Sequence, residues 1–221
     1  MRNLFISAGH FPQAKGARVN GIDEYDLNMR FANARTNGVL VPSLSLKEKI
    51  AWVNERCQSD DIAIEYHCNT NGFPSKRGTE VYYYGEENRK LADRLDQAIK
   101  ARLGTLAYGK KGKAIELGGF AEPECLGSIH PDSESFVGSL GWCRNLKCKS
   151  VIVEIEYMSN KEGMALLLAP DTPKRVAEAV DMVISGTEPN RNKIEDLIKS
   201  LQEQVVLLRK KLASLLVNKN K

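Results

Sequence analysis

Between residues 3 and 184, short apolar runs of strand length alternate with stretches of helical apolar spacing. That alternation restricts the chain to an α/β architecture, because each strand must be covered by the helices that connect it to the next. The strand-like runs are residues 3–8, residues 61–67 with apolar side chains at 62, 64 and 66, residues 79–84, and residues 151–157. The helical stretches are 24–34, 46–57, 86–103 with Leu91, Leu95, Ile99 and Leu103 on one face, and 172–184. Ser45 followed by Glu48 is a capping-box signal for the second of these. The expected fold is a twisted, mostly parallel or mixed sheet flanked by helices, which binds ligands at strand ends and helix mouths.

At residue 186 the character of the chain changes. Gly186-Thr187-Glu188-Pro189-Asn190 reads as a linker. It divides a domain at 1–185 from an amphipathic helix at 191–217. In the latter, Ile198, Val205 and Leu212 occupy heptad a positions, and Ile194, Leu201, Leu208 and Leu215 occupy d. This coiled-coil-like pattern predicts a homodimer through residues 194–215, with docking back onto the domain as the alternative. Residues 190–221 carry 8 Lys/Arg against 3 Asp/Glu, so the overall charge of +4 resides in the tail. The near-neutral remainder, with no nucleic-acid motif, argues against a nucleic-acid binder. No apolar run has the length of a membrane span. The five cysteines, at 57, 68, 125, 143 and 148, are odd in number and irregularly spaced, which predicts reduced thiols rather than a disulfide framework.

Polar residues interrupt this pattern at places that require a reason. His10 follows the first strand, His67 ends the second and Glu24 opens a helix. Singly, each has an ordinary explanation: a satisfied core histidine, or an acid favouring a helix N-terminus. Together, two imidazoles and a carboxylate form a zinc-ligand set with one position left for water. Glu154 sits in the otherwise apolar run Val151-Ile152-Val153-Glu154-Ile155, where an unpaired carboxylate is costly. It is the candidate general base, with Glu156, expected on the same side of the sheet, as the alternative.

The motifs resemble, in order, those of the amidase-3 type of zinc-dependent N-acetylmuramoyl-L-alanine amidases. The matching pieces are Leu4 to His10, Gly21 to Asn28, Ile62 to Asn69, Gly78 to Tyr84, and Glu154 to Asn160; they cover residues 1 to about 185. The resemblance implies Zn2+ as cofactor, with His10, Glu24 and His67 as ligands and Glu154 as the catalytic carboxylate. It also implies peptidoglycan as substrate, cut between N-acetylmuramic acid and L-alanine. Asn69 and Asn160 lie in matched motifs, and with His130 and Glu156 they are candidates for substrate contact. His130 lies in a stretch that reads as a loop.

Three departures from the family pattern stand out. Phe11-Pro12-Gln13 follows His10 in place of glycine-rich sequence, and Glu156 stands where a small residue is usual. The short interval between Glu24 and Ser45 leaves Val39-Leu40-Val41 as the remnant of a strand. A cleaved signal peptide would destroy the first ligand, so the chain is expected to be made in the cytosol and to act on the wall after release. A phage endolysin is the favoured context, with a bacterial autolysin second. The competing class is an inactive metal- or wall-binding module that works through its coil.

Overall fold

The apolar runs become the central strands of one six-stranded sheet. The computed structural model describes residues 2–71, 74–105, 107–108, 114–115, 129–135 and 137–187. In chain order these form β1 (Leu4–Ala8), β2 (Arg18–Val19), β3 (Ile22–Asp23), α1 (Glu24–Asn33), β4 (Val39–Leu40), α2 (Leu46–Asn54), β5 (Ile62–Asn69), β6 (Glu80–Tyr83) and α3 (Glu86–Leu103). Then follow β7 (Ala107–Tyr108), β8 (Ala114–Ile115), β9 (Ile129–Pro131), α4 (Gly141–Asn145), β10 (Lys149–Tyr157), α5 (Lys161–Leu168) and α6 (Thr172–Ser185). The main sheet runs β4-β1-β5-β10-β6-β9. All its pairings are parallel except β10 with β6, so the sheet is mixed and mostly parallel, as expected. By internal contacts the chain divides into two units, residues 1–186 and 187–221. The heptad helix and the linker beyond Thr187 lie outside the described residues, as does Cys125.

Strand side chains alternate between two unequal cores. Leu4, Ile6 and Ala8 of β1, Ile62, Ile64, Tyr66 and Cys68 of β5, and Val151, Val153 and Ile155 of β10 pack with α1, α3, α5 and α6. The opposite face contributes Phe5, Ala63 and Ile152 to a smaller core shared with Trp142 and Cys143 of α4 and Val53 of α2. The intervening positions on that thinner side are Ser7, Glu65, His67 and Glu154. Their polarity marks where the cover is incomplete.

Several boundaries differ from the sequence reading. The second helix ends at Asn54 rather than 57; the Asn54 side chain there accepts from the Lys147 N–H (2.8 Å) and donates to the Asn145 carbonyl (2.8 Å). The capping box at its start is present, with Glu48 accepting from both the Ser45 N–H (3.0 Å) and hydroxyl (2.6 Å). Val39 and Leu40 survive as a two-residue edge strand beside β1. His130 lies not in a loop but on the edge strand β9, opposite Tyr82. The cysteines at 57, 68, 143 and 148 are free and buried. Among the described residues, no helix is long and apolar enough to cross a membrane.

Candidate metal centre and active-site groove

β1 and β5 run parallel and in register, so the chain leaving each strand delivers a histidine to the same end of the sheet. Gly9 binds the Tyr66 carbonyl (2.7 Å) and His10 then turns away with φ +65°, a conformation uncommon outside glycine. The turn through Pro12 and Gln13 is closed by paired backbone hydrogen bonds between Phe11 and Ala14. A two-strand ribbon, β2 with β3, then turns at Asn20-Gly21, both at positive φ, and leads directly into α1. Glu24 is the first residue of that helix. Its cap, Asp23, is held by Lys15 (3.0 Å) and Arg18 (2.7 Å).

The three predicted ligands converge. His10 Nε2 lies 2.9 Å from Glu24 Oε2, His67 Nδ1 lies 3.0 Å from Glu24 Oε1, and the ligand atoms all fall within 4.8 Å of one another. Ala17 donates its N–H to Glu24 (3.1 Å), and Gly16 leaves space for the cluster. A Cβ on Gly16, already at φ +75°, would collide with both His10 and Glu24, and one on Gly9 would collide with the His67 ring. Burial alone would raise the Glu24 carboxyl, but the hydrogen bonds with His10 and His67 outweigh it and hold the group well below the ordinary glutamate range. The donor set, two nitrogens and one carboxylate oxygen on converging elements, fits a zinc ion with an open coordination position.

Glu154 of β10 pairs in register with His67 of β5 and lines the same groove. Among the described residues, its Oε2 is buried and meets no hydrogen-bond donor. Burial pushes its pKa up to about 8; His67 opposes the rise, and the carboxylates of Glu24, Glu80 and Glu65 add to it. A carboxyl poised near neutrality beside a candidate metal centre is suited to proton transfer.

The groove has a volume of about 410 Å³, and Phe11, Leu46, Val137, Leu140, Trp142 and Ile152 form its apolar wall. Asn69 lines it too, its amide held by Glu80 (3.0 Å), which also accepts from the Tyr157 hydroxyl (2.8 Å). Part of the wall hangs on Asp132. That buried carboxylate accepts from the Leu140 N–H (3.0 Å) and from both Nε and Nη2 of Arg144. Replacing Asp132 with alanine should destabilise the domain by about 1–3 kcal/mol. Steady-state kinetics should show KM raised several-fold with kcat little changed, because residues 137–140 lose their anchor while the chemistry stays in place.

The remaining candidates are placed elsewhere. Glu156 does not line the groove: the β5–β10 register shifts between Glu154 and Tyr157, and Glu156 is fully buried. It accepts from the Gly78 N–H (2.6 Å) and the Tyr157 N–H (2.9 Å), with Arg77 3.5 Å away. Asn160 caps α5, accepting from the Glu162 (3.0 Å) and Gly163 (2.9 Å) N–H groups. His130 stacks on Tyr82 at 5.3 Å and pairs with Glu134 (3.1 Å), outside the groove lining. Two charged residues that the sequence reading passed over do line the groove: Glu65 and Lys49, a buried ion pair at 3.0 Å. The available signal was position: Glu65 is two residues before His67 and therefore shares its face.

Residues 4–185 match the sequence profile of the amidase-3 family, described as N-acetylmuramoyl-L-alanine amidase. The chain belongs to that family. LytC of Bacillus subtilis (strain 168), named as an N-acetylmuramoyl-L-alanine amidase, is 30% identical over 126 residues, which cover 51% of this chain and 25% of LytC. The chain thus matches only a quarter of that relative's length. The amidase fold is shared with the catalytic domain of CwlV from Bacillus (Paenibacillus) polymyxa var. colistinus, at TM-score 0.64 and 21% identity, over 85% of this chain and 98% of that domain's. It is likewise shared with the catalytic domain of CD27L, an endolysin targeting Clostridia difficile, at TM-score 0.61 and 18% identity, over 86% and 100% of the two chains.

Proposed function

We propose that this member of the amidase family hydrolyses the amide between the lactyl group of N-acetylmuramic acid and L-alanine in peptidoglycan. His10, Glu24 and His67 would hold zinc in this reading, and Glu154 would be the base. One observation carries it: the convergence of the His-Glu-His set at the strand ends, faced by the Glu154 carboxylate, whose buried Oε2 meets no donor among the described residues. Zinc bound there would supply a Lewis acid and a water acidic enough to be deprotonated near neutral pH. Glu154 accepts the proton of the attacking water and passes it to the departing alanine nitrogen. The apolar wall shields the reacting groups, and Asn69, fixed by Glu80, offers a polar contact at the rim.

The test is digestion of purified peptidoglycan by native, chelator-treated and zinc-restored protein, with products read by mass spectrometry. Free stem peptides beginning at L-alanine, lost with chelator and regained with zinc, are expected. A protein that binds zinc and wall material yet releases nothing from several wall types would instead be the inactive module.

The setting we favour is a phage endolysin, with a bacterial autolysin second; the fold shared with CD27L, described as an endolysin, supports the first. Cells producing the full chain should lyse only when a holin opens the membrane. Wall turnover without a holin would favour the autolysin. The heptad pattern supports a parallel dimer through residues 194–215. Sedimentation should therefore show a dimer for the full chain and, for a version lacking residues 190–221, a monomer that still cleaves short muropeptides. A monomeric full chain would rule the dimer out.

A further inference from the structure

We infer that Glu65, held by Lys49, is a positioning residue that selects which nitrogen of His67 faces the metal centre. The inference rests on the zinc reading above and adds to it the device that orients one ligand. The His67 ring lies between two carboxylates, with Nδ1 3.0 Å from Glu24 and Nε2 3.2 Å from Glu65 Oε1. When the ring is neutral, a carboxylate at Nε2 retains the proton there, which leaves Nδ1 with its lone pair aimed at the ligand cluster. Such an arrangement fixes the tautomer and raises the basicity of the ligating nitrogen.

Glu65 cannot swing away. Its other oxygen accepts from the Ser7 hydroxyl (2.8 Å) and from Lys49 Nζ (3.0 Å). Lys49, itself buried, spends its remaining donors on the backbone carbonyls of Ala8 and of His10 (2.9 Å). One ammonium therefore ties the left-handed backbone at His10 to the carboxylate behind His67, and so couples the two histidine ligands through α2. A buried ion pair is rarely a net source of stability, which leaves its placement behind the ligands as the stronger reason for it.

Two measurements decide the matter. In wild-type protein, long-range proton–nitrogen NMR should find a slowly exchanging proton on His67 Nε2, both before and after zinc is added. An Nδ1-protonated neutral ring in either state would overturn the inference. Second, chelator competition with zinc alone should give a dissociation constant raised about 10–100-fold for Glu65→Gln. The double variant Lys49→Met/Glu65→Gln, which leaves no unpaired buried charge, should show the same loss. Zinc affinity within threefold of wild type in the folded double variant would reduce the pair to a structural role and end the proposal. If the wild-type protein binds no zinc at all, the metal reading itself fails, while the position of the ring proton still decides the role of Glu65.

Discussion

Glu154→Gln is expected to lower kcat by about 10²–10⁴-fold, the usual contribution of a positioned acid–base group, while the zinc content of the protein stays unchanged. The amide keeps the shape of the side chain and its place against His67, but it cannot accept a proton from water. Turnover of a soluble muropeptide, set beside metal analysis of the same sample, checks both halves. A variant that retains activity would place the base on another group.

The same substitution should change how the metal-free protein responds to pH. Burial raises the Glu154 pKa to about 8 from an ordinary value near 4.5, so the folded state holds a proton that the unfolded chain has released. The stability this contributes is fully present below about pH 4.5 and is lost as pH rises through about 8. His67 acts in the same direction: burial opposes its charge, but hydrogen bonds with Glu24 and Glu65 raise its pKa well above the ordinary range. In thermal melts of chelator-treated protein, wild type should therefore lose stability from pH 5 to 9, and Glu154→Gln should flatten part of that slope. At the alkaline end the variant should be the more stable by about 1–3 kcal/mol, since a carboxylate whose buried oxygen meets no donor among the described residues has been removed. For a domain of this size that is several degrees. Equal slopes in the two proteins would show that the carboxyl is not buried uncharged.

Glu24→Ala is expected to have the second large effect, a loss of about 10²–10³-fold in zinc affinity and of turnover with it. The carboxylate stands between His10 and His67 and is the only anionic member of the set. If three protein ligands share a binding free energy of roughly 10 kcal/mol, removing one leaves a deficit of about 3–4 kcal/mol. Glu24→Gln separates charge from shape and should recover only part of the affinity. Chelator competition measures both variants; zinc binding by Glu24→Ala equal to wild type would mean that the metal lies elsewhere. Because hydrogen bonds hold the Glu24 pKa low, its contribution is present above the ordinary glutamate pKa and lost as pH falls. The alanine variant should accordingly lack part of the acid limb of the wild-type stability curve.

How much of this was readable beforehand depended on the range of the interactions. β1, β5 and β10 were legible because a strand buried on both faces must be apolar at nearly every position, so a His or Glu at its end stands out. The helix α3 declared itself by its spacing, and α2 by its capping box. The Asn20-Gly21 turn before Glu24 was legible too, as an Asn-Gly pair at positive φ, although the sequence reading passed over it. Lys49 could not be read in this way. On a short amphipathic helix a lysine ordinarily faces water, and it is buried here only because α2 crosses the thin side of the sheet above Ala8 and Glu65.

Glu156 shows the opposite case. Strand periodicity put it beside Glu154, but the register shift at the end of β10 and the N–H of Gly78 give its carboxylate a different destination. The sequence alone determined the α/β class, the order of the strands along the chain and the residues competent to bind a metal, because these follow from local periodicity and side-chain chemistry. Only the tertiary structure decided which carboxylates face the histidines, which lysine is buried and where the groove opens. Those outcomes depend on contacts between residues far apart in sequence, and on which face of the sheet its helices leave uncovered.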